Sequence, residues 1–159
     1  MRLLRIIGAI IIFFSALMIA HSLSSKIDRE IKAVSALRTV LERTKSMIEC
    51  YSLSASEILR RIDSRLFLDC GIPKGRVPQS FGELADNIDI ADVEMREAML
   101  SFAKDFGKSY RTDELSRCTL YLEKISAREQ KIIKESAKKK KVIYAVAICS
   151  SLAAVILMI

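Results

Sequence analysis

Two stretches without a charged residue, one near each end of the chain, constrain this sequence more than anything else in it. Ile6 to Ala20 contains nothing more polar than Ser15; widening it to Leu3–Leu23 takes in Arg5, His21 and Ser22. Val142 to Ile159 carries no charge at all. Crossing ~30 Å of hydrocarbon takes about 20 helical residues, and a helix satisfies its own backbone polar groups in lipid. Leu3–Leu23 reaches that length and Val142–Ile159 comes just to it. Both stretches are therefore expected to be transmembrane helices. Arg5 would snorkel to the headgroups on its long stem. The rival reading of the first stretch is a secretory leader cleaved after Ala20, but Met18 stands where a small residue is needed. The rival reading of the second is a buried core helix. Four lysines, Lys138 to Lys141, lead straight into it and Tyr144 stands at an interfacial position, which favours the membrane.

Charge follows the same division. The chain of 159 residues has 26 Lys+Arg and 19 Asp+Glu, a net +7. Residues 24–137 hold 20 of those bases and all 19 acids; the remaining bases are Arg2, Arg5 and Lys138, Lys139, Lys140 and Lys141. Basicity confined to membrane flanks argues against a nucleic-acid-binding face, which needs cations clustered on the folded part. The two flanks ask for opposite orientations if both stretches span. The lysine cluster is larger and tighter, so the middle is expected in the cytoplasm with both tips outside. Cys50, Cys70, Cys118 and Cys149 form no CxxC pair. They read as free thiols in a reducing compartment.

The middle reads as helices throughout. Neither Gly nor Pro stands between Gly8 and Gly71, and none follows Gly107. Ile27, Val34, Leu41 and Ile48 recur every seven residues, with Leu37, Thr44 and Tyr51 as a companion row, which predicts an amphipathic helix over Ser25–Tyr51. Ser54 and Glu57 have capping-box spacing and open a second helix whose buried face is Ala55, Ile58, Leu59, Ile62 and Leu66. Asp69–Gln79, with Gly71, Pro73, Gly75 and Pro78, is the clearest loop. Ser80 and Glu83 repeat the capping spacing before a short helix. A further helix starts near Asp89 or Asp92, carries Met95, Met99, Phe102 and Phe106, and stops at Gly107. Thr112 starts the last helix, with Leu115, Cys118, Leu122, Ile125 and Ile132 on one face. No breaker separates that helix from Val142, so it is expected to run on as one rod of about 48 residues, ~72 Å long. The fold class is all-α: a membrane-anchored antiparallel helical bundle with an N-terminal anchor (1–23), a bundle domain (24–137), and a basic flank with a C-terminal transmembrane helix (138–159).

Enzymatic chemistry has little to stand on. His21 is the only histidine and sits at a membrane boundary, which removes histidine-based nucleophilic catalysis and His-rich metal sites. Gly107-Lys108-Ser109 imitates the tail of a phosphate loop, but its earlier glycine position is Phe102. No catalytic, metal or cofactor residue is assigned. One charge feature survives. Residues 83–97 hold Glu83, Asp86, Asp89, Asp92, Glu94 and Glu97 against Arg96, a net −5. Residues 59–78 hold Arg60, Arg61, Arg65, Lys74 and Arg76 against Asp63 and Asp69, a net +3. Either the two blocks are solvated or compensate each other, or one of them docks a partner. Arg60, Arg61, Arg65, Glu83, Asp86 and Asp89 are the candidate partner-binding residues.

Leu4-Arg5-Ile6-Ile7-Gly8-Ala9, Ile48-Glu49-Cys50-Tyr51, Glu57-Ile58-Leu59, the Phe102–Gly107 helix end, and Leu122-Glu123 with the polar helix and closing apolar run resemble the stage III sporulation protein AB family. The resemblance runs nearly end to end. It implies a non-enzymatic platform in the mother-cell membrane of a sporulating cell, similar to the cytoplasmic helical domains of type II secretion and type IV pilus platform proteins. The implied partners are the membrane, a cytoplasmic ATPase (the stage III sporulation protein AA) and other membrane proteins of a mother-cell-to-forespore channel. A homo-oligomer is compatible with this, and neither nucleic acid nor a small-molecule substrate is implied. A generic membrane-anchored helical adaptor and a secreted domain freed by leader cleavage are the alternatives.

Overall fold

The computed structural model describes the backbone of residues 2–51 and 53–158 and the side chains of 7–8, 10–51 and 53–156. Six helices make up the regular structure of the described residues: α1 (Arg2–Cys50), α2 (Ala55–Arg61), α3 (Ser64–Asp69), α4 (Phe81–Asn87), α5 (Val93–Asp105) and α6 (Arg111–Met158). The expected helix over Ser25–Tyr51 is thus part of a longer one, because nothing after Gly8 interrupts it. The chain divides into two compact units, Arg29–Ile132 and the paired ends Met1–Asp28 with Ile133–Ile159.

Within Arg29–Ile132, α1 and α6 lie side by side and antiparallel. Glu129 of α6 accepts from Ser35 Oγ at 2.5 Å and from Arg38 Nη1 at 3.1 Å. Further along the pair, Arg111 donates to the carbonyls of Ile48 and Glu49, which the end of α1 leaves without helical partners. Val34, Leu37, Leu41, Thr44 and Ile48 are buried, as the seven-residue spacing predicts. Thr44 tolerates this because its hydroxyl donates to Val40 O at 2.8 Å. Tyr51 departs from the expectation. It lies beyond the end of α1 and is 56% exposed, with the Arg61 guanidinium 5.6 Å above its ring.

The shorter helices complete the core. Ser54 and Glu57 form the complete reciprocal capping box expected of them. The second predicted helix, however, breaks at Ile62, which is extended, and restarts as α3 with Asp63 as its N-cap accepting from Arg65 N at 2.9 Å. Aspartate is among the strongest N-caps, and here it outweighs the continuity of the apolar pattern. Ser80 caps α4 by accepting from Glu83 N, but the Glu83 carboxylate turns to Gln79 N and Arg76 instead of the Ser80 amide. Of the two candidate caps for α5, Asp92 serves; Asp89 instead donates its backbone N–H to Cys70 O at 2.9 Å. Phe81 of α4 meets Phe102 of α5 at 5.1 Å and Phe106 at 4.6 Å, and Phe102 meets Tyr121 of α6 at 5.5 Å. Phe67, Leu84, Met95 and Met99 are buried in the same core. Burying each such side chain stabilises the unit by ~1.5–3 kcal/mol.

Candidate membrane anchor and partner-facing surface

The paired ends invert the usual arrangement of a folded unit. Their large apolar side chains face outward: Met18 is 75% exposed and Ile156 73%. What they bury is small: Ala20, Ser24, Ser136 and Ser151. Small residues at the contact let two helix backbones approach closely, as helices do in lipid. The hydroxyls within the apolar stretches are satisfied on their own helix, Ser15 on Ile11 O and Ser151 on Ile148 O, both at 2.8 Å. An apolar groove of about 340 Å³ runs along the pair, lined by Ala16, Ile19, Leu23, Ile143 and Val146 among others.

Among the described residues one helix, Ile10–Cys50, is long and apolar enough to cross a membrane. No second such helix is found among the described residues; the end of the expected span over Val142–Ile159, residues 157–159, lies outside them. Counted back from Ile156, a stretch of about 18 residues takes in Lys139, Lys140 and Lys141. Of the residues expected to flank the membrane, the side chains of Arg2 and Arg5 lie outside the described residues. Lys138, Lys139 and Lys141 are exposed; Lys140 is half-buried and paired with Asp28.

In Arg29–Ile132 the two charge blocks fare differently. Most of the acidic block has internal duties. Asp92 accepts from Met95 N at 2.9 Å and from Arg128 Nε and Nη2 at 2.9 and 2.6 Å. Burial alone would raise its pKa, but the Arg128 hydrogen bond, the Met95 amide and the Arg128 charge together hold it below the ordinary carboxylate value. Glu94 also reaches Arg128, at 2.9 Å. Glu83 is held below its ordinary value by the Gln79 amide first and the Arg76 guanidinium second. Arg76 and Glu83, at 2.7 Å, are the one ion pair among the described residues that joins the basic block to the acidic one. Asp86 and Asp89 stay exposed, as do Arg60, Arg61 and Arg65, and Arg60 and Arg65 make no ion pair among the described residues.

Three polar groups have structural work that the sequence reading did not assign to them, Glu114 being read only as an acidic residue at the start of the last helix. Glu129 is buried on the face of α6 that meets α1. Glu114 is buried and accepts from Gly107 N at 2.8 Å and Ser109 N at 3.3 Å, tying the loop before α6 to its first turn. Arg111 caps the end of α1. Glu129 carries a usable signal, since it stands between Ile125 and Ile132 on an otherwise apolar row; the other two have none, because their partners are backbone groups distant in sequence or in a loop.

No group of three or more His, Cys, Asp or Glu that could hold a metal occurs among the described residues. Burial pushes the thiols of Cys70 and Cys118 up to about 12, which keeps them protonated and unreactive. The groove of about 410 Å³ between α5 and α6 is lined by Met95, Ala98 and Ile125 with Glu94, Lys124 and Arg128 around them, and the acid there is already paired with the base.

These features define an all-α protein that carries a helix able to cross a membrane and a separately cored helical unit with exposed charge. The chain belongs to the stage III sporulation protein AB family, whose model matches residues 79–159, half of the chain. The match covers the Phe102–Gly107 helix end, Leu122-Glu123 and the C-terminal apolar run, and leaves the N-terminal motifs outside it. No curated protein and no solved structure matches the chain.

Proposed function

We propose that the protein is a non-enzymatic, membrane-anchored helical adaptor used in spore formation, with the unit Arg29–Ile132 as its protein-binding part. The observation that carries this is the contrast between the two units. One turns its apolar side chains outward, as a lipid solvent requires, and the other encloses its core and displays charge to water. In the finer reading the adaptor is a platform of a mother-cell-to-forespore channel. It sits in the mother-cell membrane with both apolar ends spanning and residues 24–137 in the cytoplasm, where it docks the channel's ATPase. Family membership supports that reading, and so does the exposed basic patch of Arg60, Arg61 and Arg65, in which Arg60 and Arg65 make no ion pair among the described residues.

Reversing Arg60 and Arg61 to Glu tests the docking surface. The unit should stay folded, since both side chains are exposed, at a cost of about 1–2 kcal/mol for losing the Arg61–Tyr51 contact and placing acids in the last turn of α2. Co-purification of the ATPase from sporulating cells should fall at least tenfold. Undiminished recovery in moderate salt rejects this patch as the interface, and failure of the unaltered chain to recover the ATPase rejects the platform reading in favour of a generic adaptor. Protease protection of residues 24–137 in sealed vesicles checks the orientation, and the mass of the mature N-terminus checks for cleavage after Ala20.

A further inference from the structure

The charged ends of the two apolar helices meet at one level. On α6, four successive lysines precede Val142; successive helical residues point about 100° apart, so the four cover the whole circumference. One of them is used internally: Lys140 donates to the Asp28 carboxylate of α1. The other three, Lys138, Lys139 and Lys141, are exposed, and none makes an ion pair among the described residues. The Lys140–Asp28 pair brings exposed Lys26 of α1 to the same level, and Lys134 stands a turn below the run on α6. Residues 24–28 and 133–141 together hold six lysines against two carboxylates, Asp28 and Glu135. On α6 the change to apolar is abrupt, at Val142 (60% exposed); on α1 it runs from Leu23 (43% exposed) through Ser22 and His21 to Ala20.

We propose that this collar binds the phosphate headgroups of anionic phospholipids, with Lys138, Lys139 and Lys141 as the binding groups and the Asp28–Lys140 pair fixing the register of the two helices beneath them. The inference rests on the anchoring reading above. Its geometry suits a headgroup layer: four helical residues span about 5 Å along the axis, and each interfacial layer of a bilayer is about 5–8 Å thick. A cation held at that depth, directly beside outward-facing apolar side chains, has lipid phosphate as its nearest anion. Juxtamembrane lysine clusters gain about fivefold per lysine from an anionic surface, and the gain is lost over a Debye length.

The test uses the purified full-length chain reconstituted in phosphatidylcholine bilayers with spin-labelled lipids. Spin-labelled phosphatidylglycerol should associate with the protein severalfold more strongly than spin-labelled phosphatidylcholine. That preference should fall to near parity in 0.5 M salt and in the variant K138Q/K139Q/K141Q, and persist in K138R/K139R/K141R. Equal association of the two lipids with the unaltered chain, or an undiminished preference in the glutamine variant, overturns the proposal. So does displacement of phosphatidylglycerol by 10 mM inorganic phosphate, which would make the collar a general anion site. Flotation with phosphatidylcholine vesicles separates the two ideas. A chain that does not float overturns the anchor and the collar together, whereas one that floats without headgroup preference overturns the collar alone.

Discussion

If the acidic block is mainly scaffolding, Asp92 is where removing a charge should cost the most. The Asp92 and Arg128 side chains are 12% and 24% exposed, so their pair is too buried to be discounted as a surface ion pair. Charge-assisted hydrogen bonds of this kind contribute ~1.5–3 kcal/mol. Asp92→Asn retains a side-chain oxygen for Met95 N but removes the charge and puts an amide NH2 where Oδ2 accepted from Arg128. Glu94 still offers Arg128 an anion at 2.9 Å, which moves the expected cost to the low end, about 1.5 kcal/mol. Asp92→Ala also loses the cap, a further ~1 kcal/mol, for about 2.5 kcal/mol in total. In a unit of roughly 100 residues these correspond to falls in Tm of about 6–12 °C and 10–20 °C. Thermal unfolding of the full chain in detergent, followed by far-ultraviolet circular dichroism, reads both. The pH dependence supplies a second check. Asp92 is held below its ordinary 3.8 in the folded protein, so its contribution is complete above that value and disappears as pH falls through the depressed folded pKa. The gap between Asp92→Asn and the unaltered protein should therefore close as the pH is lowered through the depressed folded pKa. A Tm for Asp92→Asn within about 2 °C of the unaltered protein, or equal losses for Asn and Ala, would refute the reasoning.

Three other substitutions and labels probe the same unit. Phe102→Ala removes the ring shared by Phe81, Phe106 and Tyr121 and should cost ~3–5 kcal/mol, against under ~1.5 kcal/mol for Phe102→Leu; similar values for the two would deny the aromatic cluster its role. Gly71→Ala should destabilise more than Gly75→Ala. Both glycines have positive φ, at about 1–2 kcal/mol for an L residue, but only at Gly71 would a Cβ fall 2.6 Å from Asp89 Cβ; equal urea midpoints would contradict that close approach. Cys50 should react with an aromatic disulfide reagent in the folded protein, whereas Cys70 and Cys118 react only on unfolding. Rapid labelling of Cys70 at pH 8 would show that its site opens readily.

Periodicity and punctuation carried most of the helical architecture. Of the seven-residue row, Val34, Leu41 and Ile48 are buried and Ile27 is half-buried; Ser54 and Ser80 cap helix starts because their chemistry is local, whereas α6 begins at Arg111, one residue before Thr112. The same local rules missed the break at Asp63, where a cap competed with an unbroken apolar pattern, and could not choose between Asp89 and Asp92. That choice depends on Arg128, 36 residues away, which faces one carboxylate and leaves the other to hydrogen-bond Cys70 through its backbone. The net charge of each block was plain in the sequence, but a sum of charges has no geometry. Only the folded unit decides that Asp92 and Glu83 are engaged while Arg60 and Arg65 remain open to water. Likewise four lysines in a row announce a membrane boundary, since hydropathy is a property of the chain. Which of them is withdrawn to pair with Asp28 is a property of two helices packed in one register, because pairing needs an opposite charge within a few ångströms and sequence separation says nothing about that distance.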